Sequence, residues 1–198
     1  AGDIFHEPKP NGRAIVQMAN ALKKLKENNI ESFFVLGEHD QSRIRGTPVP
    51  YIYHRLGFSK YIGDGKPISY KGIMLAGLDK RRKLELDEYK KIFLNLDKSA
   101  ENEFKETKHK ILVLHQGIAE FHKYADDVQS KELPKNFTYY AMGHLHDTVV
   151  KKFNHLKGPI AYPGSTELTN SEGIKDVKKG FFEVDISGDE AIPKWIEL

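Results

Sequence analysis

The chain has 198 residues, enough to bury one sizeable core but short for two full domains. Hydrophobic residues make up 39% of the composition and charged residues 30%, which is typical of a globular protein, and no stretch approaches the roughly 20 apolar residues of a membrane helix. Because cysteine is absent, disulfides, thiolate zinc sites and a cysteine nucleophile are excluded, while the net charge of +3 neither requires nor excludes a polyanionic partner.

The two ends of the chain indicate a cut domain. The first residues carry acids and no basic segment of the kind that opens a signal peptide, which predicts a cytoplasmic location, nucleoid-associated if the source is prokaryotic. The chain starts without methionine at what reads as a strand-to-loop junction, and it stops in the strand-like run from Ala191 to Leu198. We therefore expect one domain, residues 1–198, that is incomplete at its N-terminus.

The first half of the chain mixes helices and strands. From Asn11 to Asn28 apolar residues recur every three or four positions, which predicts an amphipathic helix capped by Asn11. The apolar run from Ser32 to Leu36 predicts a buried strand that ends in Gly37-Glu38-His39-Asp40. Further elements follow in order: a short helix from Pro48 to Gly57, strands at Tyr61–Ile62 and Ile68–Ala76 joined by an Asp64-Gly65 hairpin, and a charged surface helix from Lys83 to Phe104.

The second half is dominated by strands. The run from Ile111 to Leu114 predicts a buried strand that ends in His115-Gln116-Gly117, and the strand from Phe137 to Met142 ends in Gly143-His144-Leu145-His146-Asp147. This order favours an α/β fold, a mixed-sheet β-sandwich flanked by helices, over a purely parallel sheet. Four more strands are predicted at Thr148–Phe153, Pro159–Tyr162, Gly180–Ile186 and Ile192–Leu198.

The loops after these strands contain residue types that bind metal ions. If the strands lie side by side in one sheet, the loops share one edge and their side chains converge there. The opening segment Gly2-Asp3-Ile4-Phe5-His6 looks like a fourth loop of the same kind. The predicted ligands are Asp3, Glu38, His115, His144 and His146.

The spacing of these ligands suggests two ions rather than one. In extended backbone, His144 and His146 would point to the same side and could serve adjacent ions, and an aspartate such as Asp3 can bridge two ions. A pair of divalent ions polarises phosphoryl oxygens and activates water, so phosphoester hydrolysis is the expected reaction class.

The segment Glu38-His39-Asp40 also suggests acid catalysis, with Glu38 on the metal, Asp40 orienting the ring and His39 protonating the leaving oxygen. Each motif alone has an ordinary explanation. A single His-x-His is more often a surface accident, and Gly-Glu-His-Asp alone resembles a helix N-cap turn. Four such loops behind strands, in this order, favour the metal site.

The motifs resemble those of the calcineurin-like metallophosphoesterases, which are Asp-x-His, Gly-Asp, Gly-Asn-His-Asp, a lone histidine after a strand, and Gly-His-x-His. Four of the five are visible in the sequence. The segments Gly2 to His6, His115 to Gly117, Leu133 to His146 and Tyr162 to Ser165 are similar to the double-strand-break repair nucleases of the meiotic-recombination-eleven and SbcD branch.

This resemblance implies a role for each motif residue. Asp3 would bridge two divalent ions, His146 would belong to one of them, and His39 would act on the leaving group. His6 would help to place the DNA backbone. Glu38, His115 and His144 would complete the coordination of the other ion.

The resemblance also implies a cofactor, substrates and partners. The ions would be manganese, the substrates DNA ends and hairpins, and the working unit a homodimer with an ABC-type, SMC-like ATPase. The DNA-capping domain of the family would lie beyond Leu198. Arg43 and Arg45 lie in a candidate loop and are expected to contact DNA phosphates.

Two departures from the family pattern predict impaired activity. No Asp-x-His motif precedes Asp3, so the second ion would keep only Asp3 and His146, and weak or single occupancy is expected. Glu38 replaces the expected asparagine, and its charge should tighten cation binding while reducing the pull of the cation on the phosphate. Two alternatives stay open: a non-catalytic DNA-binding or scaffolding remnant, and a small-molecule phosphodiesterase of the same superfamily.

Overall fold

The structure is a computed structural model that describes residues 1–41, 46–81, 85–121, 128–167 and 178–198. Its helices are α1 (Gly12–Glu27), α2 (Tyr51–Arg55) and α3 (Leu86–Glu101), with a 3-10 turn at Ser130–Glu132. Its strands are β1 (Phe33–Phe34), β2 (Lys60–Tyr61), β3 (Ile68–Tyr70), β4 (Ile73–Leu78), β5 (His109–His115), β6 (Tyr139–Gly143), β7 (Thr148–Lys151), β8 (Ile160–Pro163), β9 (Gly180–Asp185) and β10 (Ile192–Glu197).

A six-stranded mixed sheet in the order β3-β4-β5-β6-β8-β7 forms the centre of the fold. The four inner strands β4, β5, β6 and β8 run parallel, and the edge strands β3 and β7 are antiparallel to their neighbours. The inner strands are largely buried because both faces of the sheet are covered, which explains their nearly continuous apolar sequences. Since their carboxyl ends lie at one edge, the loops that follow them meet there.

The two faces of the sheet are covered by different elements. Alternate residues of β4, such as Met74 and Leu78, belong to the large core that includes Tyr89 and Phe93 of α3. On the opposite face, Leu75 packs with residues of the β1–β2 region and the inner strands. The β9–β10 hairpin covers the same opposite face farther along the sheet, in a cluster of Tyr139, Ala161, Ala191, Phe182, Val184 and Ile186.

Helices α1 and α2 pack against the N-terminal segment, away from these clusters. The side chain of Asn11 accepts a 2.9 Å hydrogen bond from the backbone N–H of Ala14, so the predicted N-cap is present. The Tyr53 hydroxyl of α2 donates to the carbonyl of Ile15 in α1 over 3.0 Å. Phe5 is buried in the same cluster, and the helix pair therefore supports the segment that carries Asp3.

The mixed α/β fold with flanking helices confirms the predicted fold class. The predicted hairpin at Asp64-Gly65 is wrong, because β2 pairs in parallel with β1. The turn lies instead at Lys71 and Gly72, where φ is +48° and +77°, and it divides the predicted Ile68–Ala76 strand into β3 and β4. Among the described residues, no helix has the length and apolar character needed to span a membrane.

The Gly72→Ala variant tests this turn. Nothing lies within 4 Å of a Cβ placed on Gly72, but its φ of +77° is costly for an L-residue, so we expect the free energy of unfolding to fall by about 1 kcal/mol. Gly188→Ala is the matched control, since its Cβ also enters open space and its φ lies outside the left-handed region. Equal urea midpoints for the two variants would contradict the assigned turn.

Candidate metal centre

The candidate centre lies at the carboxyl edge of the parallel strands. His115 is the last residue of β5, and it is in register with Gly143, the last residue of β6, which places His144 next to it. Glu38 follows the buried segment that continues β1, and the backbone N–H of Lys80 donates to the carbonyl of Leu36 in that segment. The predicted convergence of strand-end loops is therefore present for Glu38, His115 and His144.

The Glu38 carboxylate lies between two imidazoles. Its Oε1 is 2.8 Å from Nδ1 of His144, and its Oε2 is 3.0 Å from Nε2 of His115. The same His115 nitrogen is 3.1 Å from Oδ2 of Asp3. Four of the five predicted ligands thus meet around one point.

The geometry around His115 fits a divalent cation. The ring is 2% exposed, and its Nδ1 lies 2.6 Å from the carbonyl oxygen of Ala1, so Nδ1 is the protonated nitrogen of the neutral ring. In this neutral form, which a cation would select, Nε2 directs a lone pair towards the two carboxylates, and among the described residues it has no hydrogen-bond partner of acceptable geometry. Ligand atoms about 2.1 Å from one ion stand roughly 3 Å apart, which is the spacing found here.

The pKa shifts of these groups indicate that the site favours positive charge. Burial opposes protonation of His115, but its contacts with Asp3 and Glu38 outweigh burial and raise its pKa to about 9. Burial likewise opposes ionisation of Glu38, yet His115 and His144 hold the pKa of Glu38 well below its ordinary value. A bound cation would supply the same charge that the proton on His115 supplies in its absence.

Two of the ligands have strained backbones. Asp3 has a φ of +49° and His144 a φ of +94°, in a region that non-glycine residues rarely adopt. Gly37 is required by close approach, because a Cβ there would lie 2.0 Å from Oδ1 of Asp3. The absence of a side chain at Gly37 therefore lets the Asp3 segment lie against the loop that carries Glu38.

Asp40 has a different role from the predicted one. Its carboxylate is 1% exposed and accepts backbone hydrogen bonds from Gly37 over 3.0 Å, Ile4 over 2.9 Å and Phe5 over 3.2 Å. Burial raises the pKa of Asp40 despite these bonds. The prediction that Asp40 orients the His39 ring is wrong, because its oxygens are used by the backbone and tie the Asp3 segment to the Glu38 loop.

His39 and His6 lie side by side at the edge of the centre. Their rings stack with centroids 5.5 Å apart, and Nδ1 of His39 is 2.9 Å from the carbonyl oxygen of His6. The backbone N–H of His39 donates to Oδ1 of Asp3 over 2.8 Å. The His6 carbonyl therefore orients the His39 ring.

His146 does not join the other predicted ligands. The segment after β6 is not extended, since His144 has left-handed φ, so the extended backbone assumed in predicting that His144 and His146 point to one side is absent. His146 is exposed and belongs to neither ligand group found among the described residues. Arg43 and Arg45, the predicted DNA contacts, lie outside the described residues.

Sequence reasoning missed the residues that support the ligands. Asp79, directly after β4, accepts from the backbone N–H of Leu36 over 2.8 Å and from the Tyr61 hydroxyl over 2.6 Å. Gln116 is fully buried, and its backbone carbonyl oxygen accepts a 2.7 Å hydrogen bond from the Tyr162 hydroxyl. Asp79 carried a usable signal, because it is a polar residue at the end of a buried strand like the ligands themselves.

Comparison with known proteins identifies relatives but no matching family model. The chain is 35% identical over 195 residues to the DNA double-strand break repair protein Mre11 of Methanocaldococcus jannaschii, covering 96% of this chain and 51% of that protein. It is 34% identical over 211 residues to the protein of the same name from Thermoplasma acidophilum, covering 100% and 53%. The chain thus spans about half the length of these relatives.

One solved structure has a similar fold. The crystal structure of TT1561 of Thermus thermophilus superimposes with a TM-score of 0.55 and 12% sequence identity, covering 98% of this chain and 83% of that one. At this identity the likeness concerns the fold alone.

The His144→Ala variant tests the metal centre. Losing this ligand should weaken Mn²⁺ binding by at least about tenfold, measured by isothermal titration calorimetry. His155→Ala is the control, because His155 is exposed and packs beside Phe153. Equal Mn²⁺ affinities for the wild type and both variants would contradict the assignment of His144 as a metal ligand.

The Asp79→Asn variant tests the support of the Glu38 loop. Burial raises the pKa of Asp79 from 3.8 to about 6 in the folded protein. The folded state therefore holds the proton more tightly than the unfolded state, and the stability that this proton supplies is complete below about pH 4 and lost as the pH rises through 6.

The amide of the Asp79→Asn variant has no such proton to lose, so urea unfolding in EDTA should show the variant gaining roughly 1 kcal/mol on the wild type between pH 4 and pH 7. The exposed Asp64, changed to asparagine, is the control. Parallel pH profiles for wild type and Asp79→Asn would contradict the expected effect.

Proposed function

Because the chain belongs to the Mre11 family of DNA double-strand break repair proteins over nearly its whole length, we propose that it forms the catalytic centre of a metal-dependent DNA phosphodiesterase. The observation that carries the proposal is the Glu38 carboxylate held between His115 and His144, with Asp3 on the same His115 nitrogen. This cluster lies at the carboxyl edge of the sheet, where the Glu38 side chain is 38% exposed to solvent.

The proposed cofactor is a pair of divalent ions, with Mn²⁺ as the expected metal. Asp3, Glu38, His115 and His144 would hold the first ion, and the assignment of His146 to the second rests on the family resemblance. Such ions supply Lewis-acid polarisation of a phosphodiester and a more acidic water molecule. The mixed set of imidazole and carboxylate ligands suits Mn²⁺.

His39 is the proposed proton donor to the leaving oxygen. With its Nδ1–H directed at the His6 carbonyl, the ring has Nε2 left as the position for proton transfer. Stacking on His6 limits rotation of the ring. His6 itself is proposed to position the DNA backbone at the entrance to the centre.

The proposed substrates are DNA ends and hairpins, cut by endonuclease or exonuclease action in double-strand-break repair. Arg43 and Arg45 stay predictions for phosphate contacts. The proposed partners are a second copy of the chain and an ABC-type, SMC-like ATPase. For the second copy, support comes from exposed apolar residues on the joined helices α1 and α2 and directly after them, which are Val16, Ile52 and Leu56.

A second candidate function is DNA binding without catalysis. Two observations favour it: His146 lies outside the described ligand groups, and Glu38 adds a negative charge that reduces the pull of a cation on a phosphate. In that case the centre would hold a cation and a DNA end but would not cleave.

Cleavage of a DNA hairpin with Mn²⁺ separates these functions. We expect the wild type to cleave, and His144→Ala and His39→Ala to lose about 100-fold or more in rate because one loses a metal ligand and the other the proton donor. His155→Ala should cleave like the wild type.

The outcomes of this assay are distinct. Binding of the hairpin without cleavage by the wild type would favour the second function. Cleavage by both site variants at the wild-type rate would reject the site assignment, and faster hydrolysis of a cyclic nucleotide than of the hairpin would point to a small-molecule substrate.

A further inference from the structure

Arg81 lies at the carboxyl edge of the sheet, on the strand next to the one that carries His115. Strands β4 and β5 run parallel and pair Leu78 with Leu114, so the residues that follow β4 reach the edge where His115 ends β5. The buried amide of Gln116, the residue after His115, accepts from the backbone N–H of Arg81 and donates to its carbonyl, each over 3.4 Å. The backbone of Arg81 is therefore held in place relative to His115.

The Arg81 guanidinium is only weakly engaged by the described part of the chain. Its Nε is buried and has no hydrogen-bond partner there. Its Nη1 lies 3.7 Å from Oε2 of Glu88, which is longer than a hydrogen bond, and the Glu88 side chain is 65% exposed, so water screens this ion pair. The Arg81 side chain itself is 37% exposed, so solvent reaches part of it at this edge.

The surroundings of Arg81 favour an anion as its partner. A buried N–H without an acceptor is unfavourable, so an arriving acceptor recovers that cost. Phosphate suits the guanidinium best, because two neighbouring N–H groups can bond two of its oxygens. The same edge carries the carboxylates of Asp3, Glu38 and Asp79, so an approaching phosphate needs a fixed positive charge in addition to any bound cation.

We propose that Arg81 binds a backbone phosphate of the DNA strand next to the one that is cleaved, through Nε and a terminal nitrogen of its guanidinium. The inference deepens the proposed function and rests on it for the identity of the substrate. Because Gln116 ties the Arg81 backbone to the residue after His115, a phosphate bound by Arg81 has a set position relative to the metal ligands. Arg81 would therefore set the register of the strand at the centre.

The affinity for a DNA hairpin in EDTA tests this contact without cleavage. Binding of a fluorescently labelled hairpin to the full chain is followed by anisotropy at several NaCl concentrations. We expect Arg81→Gln to weaken binding by about tenfold at low salt and to reduce the slope of log K against log [salt] by about 1, because one phosphate contact is lost. Arg81→Lys should keep the slope but still lose affinity, since an ammonium group cannot bind phosphate through two fixed N–H groups. Wild-type affinity no stronger than that of Arg81→Gln would overturn the contact.

Two control variants separate phosphate binding from general charge and from a structural role. Lys105→Gln removes an exposed positive charge just before β5 begins, at the opposite edge of the sheet, and should bind the hairpin like the wild type. Glu88→Gln breaks the ion pair but frees the guanidinium, so it should bind at least as tightly as the wild type. Circular dichroism melting checks that each variant is folded. A loss of affinity in either control equal to that of Arg81→Gln would overturn the assignment.

Cleavage with Mn²⁺ separates this inference from the proposed function. We expect Arg81→Gln to raise KM about tenfold and to keep kcat within about threefold of the wild type, because the contact binds substrate and does not act on the reacting atoms. A fall in kcat with unchanged KM would overturn the binding role. If Arg81→Gln weakens hairpin binding but the wild type cleaves at no Mn²⁺ concentration, the phosphate contact stands and the proposed function fails. If the wild type cleaves and Arg81→Gln matches it in affinity and KM, the proposed function stands and this inference fails.

Discussion

The structure depends on keeping two carboxylates, Asp3 and Glu38, within about 3 Å of one buried imidazole nitrogen. The two carboxylates have oxygens within 4.8 Å of each other, and like charges this close repel in a partly buried site, so compensating positive charge stabilises the arrangement. In the absence of a cation, the proton on His115 supplies part of that charge, which is why the pKa of His115 rises to about 9. The same requirement supports the proposal that the centre binds a divalent cation.

Two further acids, the buried Asp40 and the half-buried Asp79, hold these carboxylates in place. Asp40 accepts three backbone hydrogen bonds and so joins the Asp3 segment, which forms no strand, to the Glu38 loop. Asp79 accepts from the backbone of Leu36 and joins the other side of that loop to the end of β4. Buried carboxylates are tolerated when such donors satisfy them. Fold alone does not give a function, and the proposed chemistry rests on these contacts and on the relatives that share the sequence.

The sequence by itself determined the buried strands and the residue types that follow them. Apolar runs such as Ile111 to Leu114 mark strands between two covered faces, and metal-ligand types directly after three of them predicted Glu38, His115 and His144. Local sequence could not determine pairings that depend on distant segments. The hairpin predicted at Asp64-Gly65 failed because the partner of β2 is β1, which lies upstream of α2.

Only the tertiary structure decided which groups the carboxylate oxygens of Asp40 and Glu38 contact. The Asp40 carboxylate accepts a hydrogen bond from the backbone N–H of Ile4, 36 positions away, rather than contacting the adjacent His39 ring. Three backbone N–H groups that need an acceptor meet at this carboxylate. His144 has a left-handed backbone, and its ring contacts Glu38, which the extended backbone assumed from the sequence did not predict. Sequence spacing assumes regular backbone, and at a crowded, charged centre the tertiary contacts override it.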